Sequence, residues 1–274
     1  MGIARNVSET IEAEVERLDQ AFSFVKCRKF FIVESDSDDD TLEKLESLKG
    51  KLNHFDFKSL GVVAKIYPVL WDRLAYVRNF YLQVFLNSEK FADCDYLVVS
   101  DLDGTNELLT YENALSPFSR NDWAACFCNQ NGHYYDVLAL RHPKFAPDDC
   151  FLYERRLVAQ GVNPVTAKRM AILSRQRRIP ANSSWISVDS AFGGLAVYRR
   201  SFLANARYSS RTHEGQIICE HISFHRQIKD NGGELYIVPT FINHGEGEHT
   251  SHFKLKFRVR RFVKFFLYEL GFLK

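Results

Sequence analysis

The stretch that most constrains this chain is Tyr96-Leu97-Val98-Val99-Ser100-Asp101-Leu102-Asp103-Gly104-Thr105, a short apolar run that stops at two carboxylates one residue apart. The run predicts a buried strand feeding a loop. In an open α/β sheet, ligands are handled at the carboxyl ends of the strands, which is where Asp101 and Asp103 fall. Two carboxylates that close repel each other unless a cation lies between them, so the spacing points to a divalent metal. The plain alternative is a solvated acidic turn, with Gly104 supplying the bend.

The rest of the chain supplies the sheet that such a strand needs. Its 274 residues are 46% hydrophobic and 14% aromatic, enough for a large globular core. The net charge of +2 is unevenly spread, with acids at Asp36 to Asp40 and bases at Lys168 to Arg178 and Lys254 to Lys264. No nucleic-acid motif accompanies those bases, so no nucleic-acid partner is expected. The six cysteines are scattered without C-x-x-C spacing and read as reduced; Cys126 and Cys128 share a strand face as core filling. There is no apolar signal region and no run of about 18 apolar residues, which predicts a cytoplasmic protein.

Taken in order, Asn6-Val7-Ser8-Glu9 reads as a helix start capped by Asn6, ahead of the apolar stripe Ile11, Val15, Leu18 and Phe22. Phe30 to Val33 is a compact strand that delivers Glu34 and the acids Asp36 to Asp40 to a loop before a second helix. Pro68 opens a long helix carrying Arg73, Arg78 and Asn79. Trp123 to Cys128 reads as a strand, Asp148 to Arg178 as a helical segment turning basic, and Ala191 to Tyr198 as a strand entered through Gly193-Gly194. A helix opens near Cys219-Glu220-His221 and ends at Asn231-Gly232-Gly233, and a last strand leads to Asn243-His244. The alternation predicts an α/β fold, a mainly parallel sheet flanked by helices, spanning 1–250, with a basic-aromatic C-terminal helix over 251–274.

These motifs together resemble the GT-A class of nucleotide-sugar glycosyltransferases, and within it the family-two-type and capsular mannosyltransferase-like enzymes. The resemblance covers most of residues 4 to 245. It implies that Arg5, Asn6, Glu34, Ser37, Asp39, Arg78 and Asp101 bind the nucleotide, and that Asp101, Asp103 and His244 hold Mn2+ or Mg2+. It places Asp136, Arg141, Gly193, Gly194 and His221 along the sugar and acceptor site, and Glu220 as the catalytic base. Only Met1-Gly2-Ile3 precede Ala4-Arg5-Asn6, which predicts a very short first strand. Glu220-His221 stands where the family often has two adjacent acids, so inversion and retention both stay open.

The chemistry suits these residue types. A cation would neutralise charge developing on a diphosphate leaving group, and a carboxylate would take the proton of an acceptor hydroxyl. The bland readings are that Glu220 caps its helix and that His221 and His244 are structural. Asp136 and Arg141 can equally form an ion pair that holds their loop. The expected partners are a nucleotide-sugar donor and a glycan or lipid-linked acceptor of surface polysaccharide assembly. Val99 to Thr105 also resembles the nucleophile motif of haloacid-dehalogenase-type phosphatases, and a non-catalytic sugar-binding role is a third reading. On a helical wheel, Leu255, Val259, Phe262, Val263, Phe266, Leu270 and Leu273 fall on one face with most bases elsewhere. That pattern fits docking on the domain or peripheral contact with an anionic membrane on its inner face.

Overall fold

The structure is a computed structural model in which residues 1–245 are described; the C-terminal helix expected over 251–274 lies outside them. In chain order the elements are β1 (Gly2–Ala4), α1 (Ile11–Ala21), β2 (Phe30–Glu34), α2 (Thr41–Lys51), β3 (Phe55–Ser59), α3 (Leu70–Asn87), β4 (Tyr96–Ser100), α4 (Tyr111–Leu115), β5 (Ala125–Gln130), α5 (Cys150–Ala159), α6 (Pro164–Ala171), β6 (Ile186–Ser187), β7 (Leu195–Arg199), α7 (Glu220–Asp230) and β8 (Leu235–His244). Among the described residues no helix is long and apolar enough to cross a membrane.

β1, β2 and β3 form a parallel sheet, and a second sheet runs in the order β4-β7-β5-β8-β6. In the second sheet only β5 and β8 pair in parallel; β7 runs against β4 and β5, and β6 runs against β8. The expected parallel pairing therefore holds in the first half and gives way to a mixed sheet in the second. Gly193 and Gly194, at φ 74° and 85°, turn the chain so that β7 starts beside the end of β4 and returns along it. The Met1 amino group donates to Val98 O (2.6 Å), and Ser100 N donates to Met1 O (3.0 Å), which sets β1 alongside β4. The carboxyl ends of β1 to β4 thus open toward one end of the molecule.

Alternation along the strands sorts side chains to two faces, as a period of two requires. Phe31, Val33, Leu97, Val99, Phe127 and Tyr198 pack with Val77, Tyr81 and Phe85 of α3 and Phe224 and Ile228 of α7. Ile32, Cys126, Cys128, Leu195 and Val197 pack on the other face with Ile11, Val15 and Leu18 of α1 and Leu45 and Leu48 of α2. The two cysteines are core filling, as their spacing predicts. β1 is three residues long, and beyond it the starts of β2 and β4 border an apolar cavity of about 490 Å³ lined by Phe22, Phe30, Phe85, Phe91 and Leu97. The cavity extends along β4 as far as Ser100 and Leu102, the residues on either side of Asp101.

Two local expectations are corrected. Asn6 does not cap α1: it sits at φ 51°, the helix starts at Ile11, and Thr10 precedes it. The Asn6 side chain is drawn away by Asp38, whose carboxylate accepts from Nδ2 at 2.6 Å. The basic segment before Pro180 is not one continuous helix, although Lys168, Arg169, Arg177 and Arg178 on it are exposed. It splits into α5, α6 and a short 3-10 turn, and Arg175 is buried against Asp148, donating to its backbone oxygen at 2.6 Å.

Candidate active site

The loops that follow β1 and β2 are stitched together by the residues expected to take the nucleotide. Asn6 N donates to Ser37 Oγ (3.2 Å), Asp38 N donates back to Asn6 Oδ1 (2.9 Å), and Ser8 N donates to Asp39 Oδ2 (3.1 Å). Glu34 is buried at the end of β2 and accepts from Ser37 N (3.0 Å) and Ser59 Oγ (2.5 Å), so it shapes this loop from beneath. Arg5 and Asp39 are exposed. Burial works against Asp39 ionising, but hydrogen bonds from Thr41 and Ser8 outweigh it and hold the carboxyl down at about 2.

A second group converges on Arg78, which α3 projects beneath the end of β4. Its Nε donates to Glu220 Oε1 (2.9 Å), and its Nη2 lies 3.5 Å from Asp101 Oδ1. The guanidinium also lies over the rings of Phe192 and Tyr208, 5.3 and 5.9 Å from their centroids. Burial opposes its charge, yet Tyr81, Glu220 and Asp101 hold Arg78 firmly protonated. Glu220, the first residue of α7, is 2% exposed. His221 beside it stacks on Phe192 at 4.2 Å, and neither ring nitrogen has a hydrogen-bond partner among the described residues. Burial, with Arg78 and His225 adding to it, keeps that imidazole neutral.

The glycine pair ties this group to the end of β4. Asp101 N donates to Gly194 O (2.8 Å), and Gly193 N donates to Asp136 Oδ2 (3.0 Å). A Cβ on Gly194 would stand 2.8 Å from Tyr135 Oη and one on Gly193 2.8 Å from Cys128 O, so both positions need glycine for space as well as for φ. Burial, reinforced by Asp103, Asp136 and Glu220 and opposed by Arg78, pushes the Asp101 carboxyl up to about 7. Burial likewise raises Asp136, against the amides of Gly193 and Ala139. Arg141 stays outside this set: it pairs with Asp149 at 3.0 Å, not with Asp136.

The predicted metal trio is brought together only in part. Asp103 is exposed in the loop, the third residue after β4, with its carboxylate unengaged among the described residues. His244 is drawn to Glu107, Nδ1 to Oε2 at 2.5 Å, and among the described residues no three His, Cys, Asp or Glu side chains are grouped to hold a metal. The donor set at the loop is therefore Asp101 and Asp103, hard oxygens crowded by further carboxylates. Such a set fits Mn2+ or Mg2+ when a phosphate ligand and water complete the coordination.

Several residues here were not foreseen. Asn106, fully buried, donates from Nδ2 to Glu14 Oε2 (2.5 Å), Ser100 Oγ (3.0 Å) and Asp101 O (3.0 Å). Asn243 donates to Gly193 O at 2.9 Å, and Gln130 donates to the same oxygen at 3.2 Å. Asn79, which unlike these the sequence had already singled out beside Arg78, clasps the backbone of Tyr208 through both ends of its amide, each at 2.8 Å. The available signal was a polar residue interrupting an apolar strand at its carboxyl end, which Gln130 and Asn243 both are.

No protein-family model and no curated protein matches the sequence. Among solved structures, the whole chain aligns with 64% of the mannosyltransferase PcManGT from Pyrobaculum calidifontis, in complex with GDP-Man and Mn2+, at 13% identity and a TM-score of 0.52. It also aligns over 97% of its length with 65% of S. aureus TarS in complex with UDP-GlcNAc, at 14% identity and a TM-score of 0.46. A third alignment joins 89% of the chain to 67% of glucosyl-3-phosphoglycerate synthase from Mycobacterium tuberculosis in complex with UDP, at 13% identity and a TM-score of 0.37. The chain thus spans just under two thirds of the mannosyltransferase's length. With the strand order and the carboxylates after β4 already described, that likeness identifies the architecture: this chain has the GT-A-type α/β fold of nucleotide-sugar glycosyltransferases.

Proposed function

We propose that this chain is a metal-dependent hexosyltransferase that moves a sugar from a nucleotide-sugar donor to a hydroxyl of a glycan or lipid-linked acceptor in surface polysaccharide assembly. The observation that carries the reading is the convergence of Asp101 and Glu220 on Arg78 at the carboxyl end of β4, inside a GT-A-type fold. The nucleotide sits against the stitched loops at 5–10 and 34–41, with Glu34 as their anchor. Asp101 and Asp103 hold Mn2+ or Mg2+, which when bound neutralises charge on the leaving diphosphate. The GDP-Man and Mn2+ complex of the mannosyltransferase supports both choices of ligand.

In the transfer, Glu220 takes the proton of the acceptor hydroxyl, the acceptor oxygen bonds to the anomeric carbon, and the bond from that carbon to the diphosphate breaks with its electron pair on the phosphate. His221, neutral and with unpaired ring nitrogens, can orient the same hydroxyl. The phosphatase reading also needs an acidic pair after an apolar strand to hold magnesium, and Asp148-Asp149 does not supply it: no strand leads into the pair, Asp149 caps α5 and Asp148 pairs with Arg175.

The test is nucleotide release from GDP-, UDP- and CDP-sugars with Mn2+, alongside thermal shifts by the free nucleotides. One nucleotide should stabilise the protein with metal, and EDTA or Asp103→Ala should abolish release. Glu220→Gln should lower turnover on the order of 100 to 10,000-fold while nucleotide affinity changes little. Release that persists in EDTA, or near-normal turnover in Glu220→Gln, would reject the corresponding role.

A further inference from the structure

Between β3 and α3 the chain forms a loop whose outer side chains are apolar. Ile66 is 71% exposed, Val62 54% and Leu70 47%; these are the three most exposed large apolar residues among those described, and all belong to one loop and its helix start. Scattered exposed apolar side chains are ordinary, but concentration in nine consecutive positions is not. Pro68 is exposed with them, and Tyr67 and Tyr76 stack at 4.7 Å at their margin.

The loop is held in this shape. Asp36 N donates to Gly61 O (3.0 Å), Ala64 N donates to Asp36 Oδ1 (2.8 Å), and Ile66 and Tyr67 both donate to Val63 O (2.9 Å) around a 3-10 turn. Val63 is buried beneath that turn as the loop's own anchor. The exposure of Val62 and Ile66 is therefore built in.

Charge around the loop selects the partner. Lys58 precedes it at the end of β3 and Lys65 lies within it, and both are exposed. Of the acids nearest the loop, Asp36 is turned inward onto Ala64 N with Arg73 3.9 Å from it, and Asp72 is paired with Arg211; Asp38 and Asp39 are turned the other way, bonded to Asn6 and Ser8 after β1, on the far side of β2 from β3. Aliphatic side chains at a tip, bases beside them and tyrosines at the margin suit an anionic lipid interface, where the tip leaves water and the lysines meet lipid phosphates. A protein partner needs roughly 800 Å² of complementary surface on each side, more than a loop tip supplies.

We propose that residues 61–70 dock on an anionic membrane surface. The loop follows the carboxyl end of β3, the end at which Asp101 lies, so docking turns the proposed reaction site toward the bilayer and toward an acceptor carried there. The inference stands apart from the transferase reading, because it is tested without donor or acceptor.

The experiment is flotation of the full chain with vesicles of phosphatidylcholine alone and with about one third phosphatidylglycerol. The wild-type chain should float with the anionic vesicles, and V62S/I66S/L70S should reduce the bound fraction roughly tenfold or more. Lys58→Glu with Lys65→Glu should reduce it on anionic vesicles and leave the Tm unchanged. If the triple variant melts earlier, Ile66→Asp alone, at the most exposed position, carries the comparison. The basic C-terminal residues remain in every variant, so flotation unchanged by the loop substitutions overturns the proposal. Wild-type chain that fails to float overturns it too, as does loss of self-association without any vesicle binding.

Discussion

Asp38 and Asp39 stand in water after β2, and their oxygens accept hydrogen bonds from the Asn6 side chain and from the amides of Ser8 and Thr41. Asp101 and Glu220 instead lie at the ends of β4 and at the start of α7, with one guanidinium between them. The same functional group meets opposite treatment. In the first region amide donors outweigh burial and hold Asp39 at about 2; in the second, burial and neighbouring acids push Asp101 up to about 7. The difference separates an acidic stretch that fixes a loop from a cluster that holds negative charge under tension, ready for a cation.

The largest effect should come from removing the cation already present. Arg78→Met leaves the Glu220 carboxylate buried without its partner, and breaking a buried pair from one side costs about 3 to 5 kcal/mol. Urea denaturation of the metal-free protein measures it. Arg78→Met combined with Glu220→Gln should recover much of the loss, because no unpaired charge then stays inside. A single variant that loses less than about 1 kcal/mol would make the Arg78 cluster no more than a surface ion pair.

That prediction could not have been written from the sequence. Alternation placed β2, β4, β5, β7 and β8 but not β3, whose residues Phe55 to Ser59 are mostly half-buried and carry no continuous apolar run; the ends of β2 and β4 fell where their apolar runs stop, because period-two burial is written in adjacent residues. The start of α7 at Glu220 was equally plain. Arg78 and Glu220 are 142 positions apart, and only the folded sheet says that they touch. The capping signal at Asn6 was misleading for a related reason: Asp38, 32 positions away, competes for the same side chain. Arg141 had two acids in reach of its loop, and packing of α5 settled it on Asp149. The amides of Asn106, Gln130 and Asn243 carry no motif; their importance comes from two backbone oxygens, that of Asp101 after β4 and that of Gly193 before β7, which only the folded sheet presents to them.

An intermediate effect should appear as pH dependence. The Asp101 carboxyl moves from an ordinary 3.8 to about 7 on folding, so between those values the folded chain keeps a proton that the unfolded chain releases. Stability of the metal-free protein therefore falls as pH rises through that window and levels off above it. Asp101→Asn should flatten this slope and stabilise the protein at pH 8 relative to wild type, while removing metal-dependent transfer. Paired melting curves from pH 4 to 8 in EDTA decide it: the raised Glu14 contributes equally to both proteins, and Asp136, raised chiefly by burial beside Asp101, leaves a smaller slope in the variant. Parallel curves for the two proteins would mean that Asp101 is not under tension.

The smallest effect belongs to the exposed region. Asp39 accepts from Thr41 N, the first amide of α2, and from Ser8 N, so Asp39→Ala removes a cap-like contact worth about 1 kcal/mol at most, given its exposure. Its carboxyl is depressed, so the contribution is complete above the unfolded value of 3.8 and disappears as pH falls through about 2. The stability difference between wild type and Asp39→Ala should accordingly be constant from pH 5 to 8 and shrink only in strong acid, opposite in direction to that of Asp101→Asn. Freeing Ser8 should also loosen the loop against which the nucleotide is proposed to sit. Nucleotide affinity should then weaken severalfold with turnover at saturation unchanged. A fall in saturated turnover to match Glu220→Gln would place Asp39 in the chemistry and erase the distinction between the two acidic regions.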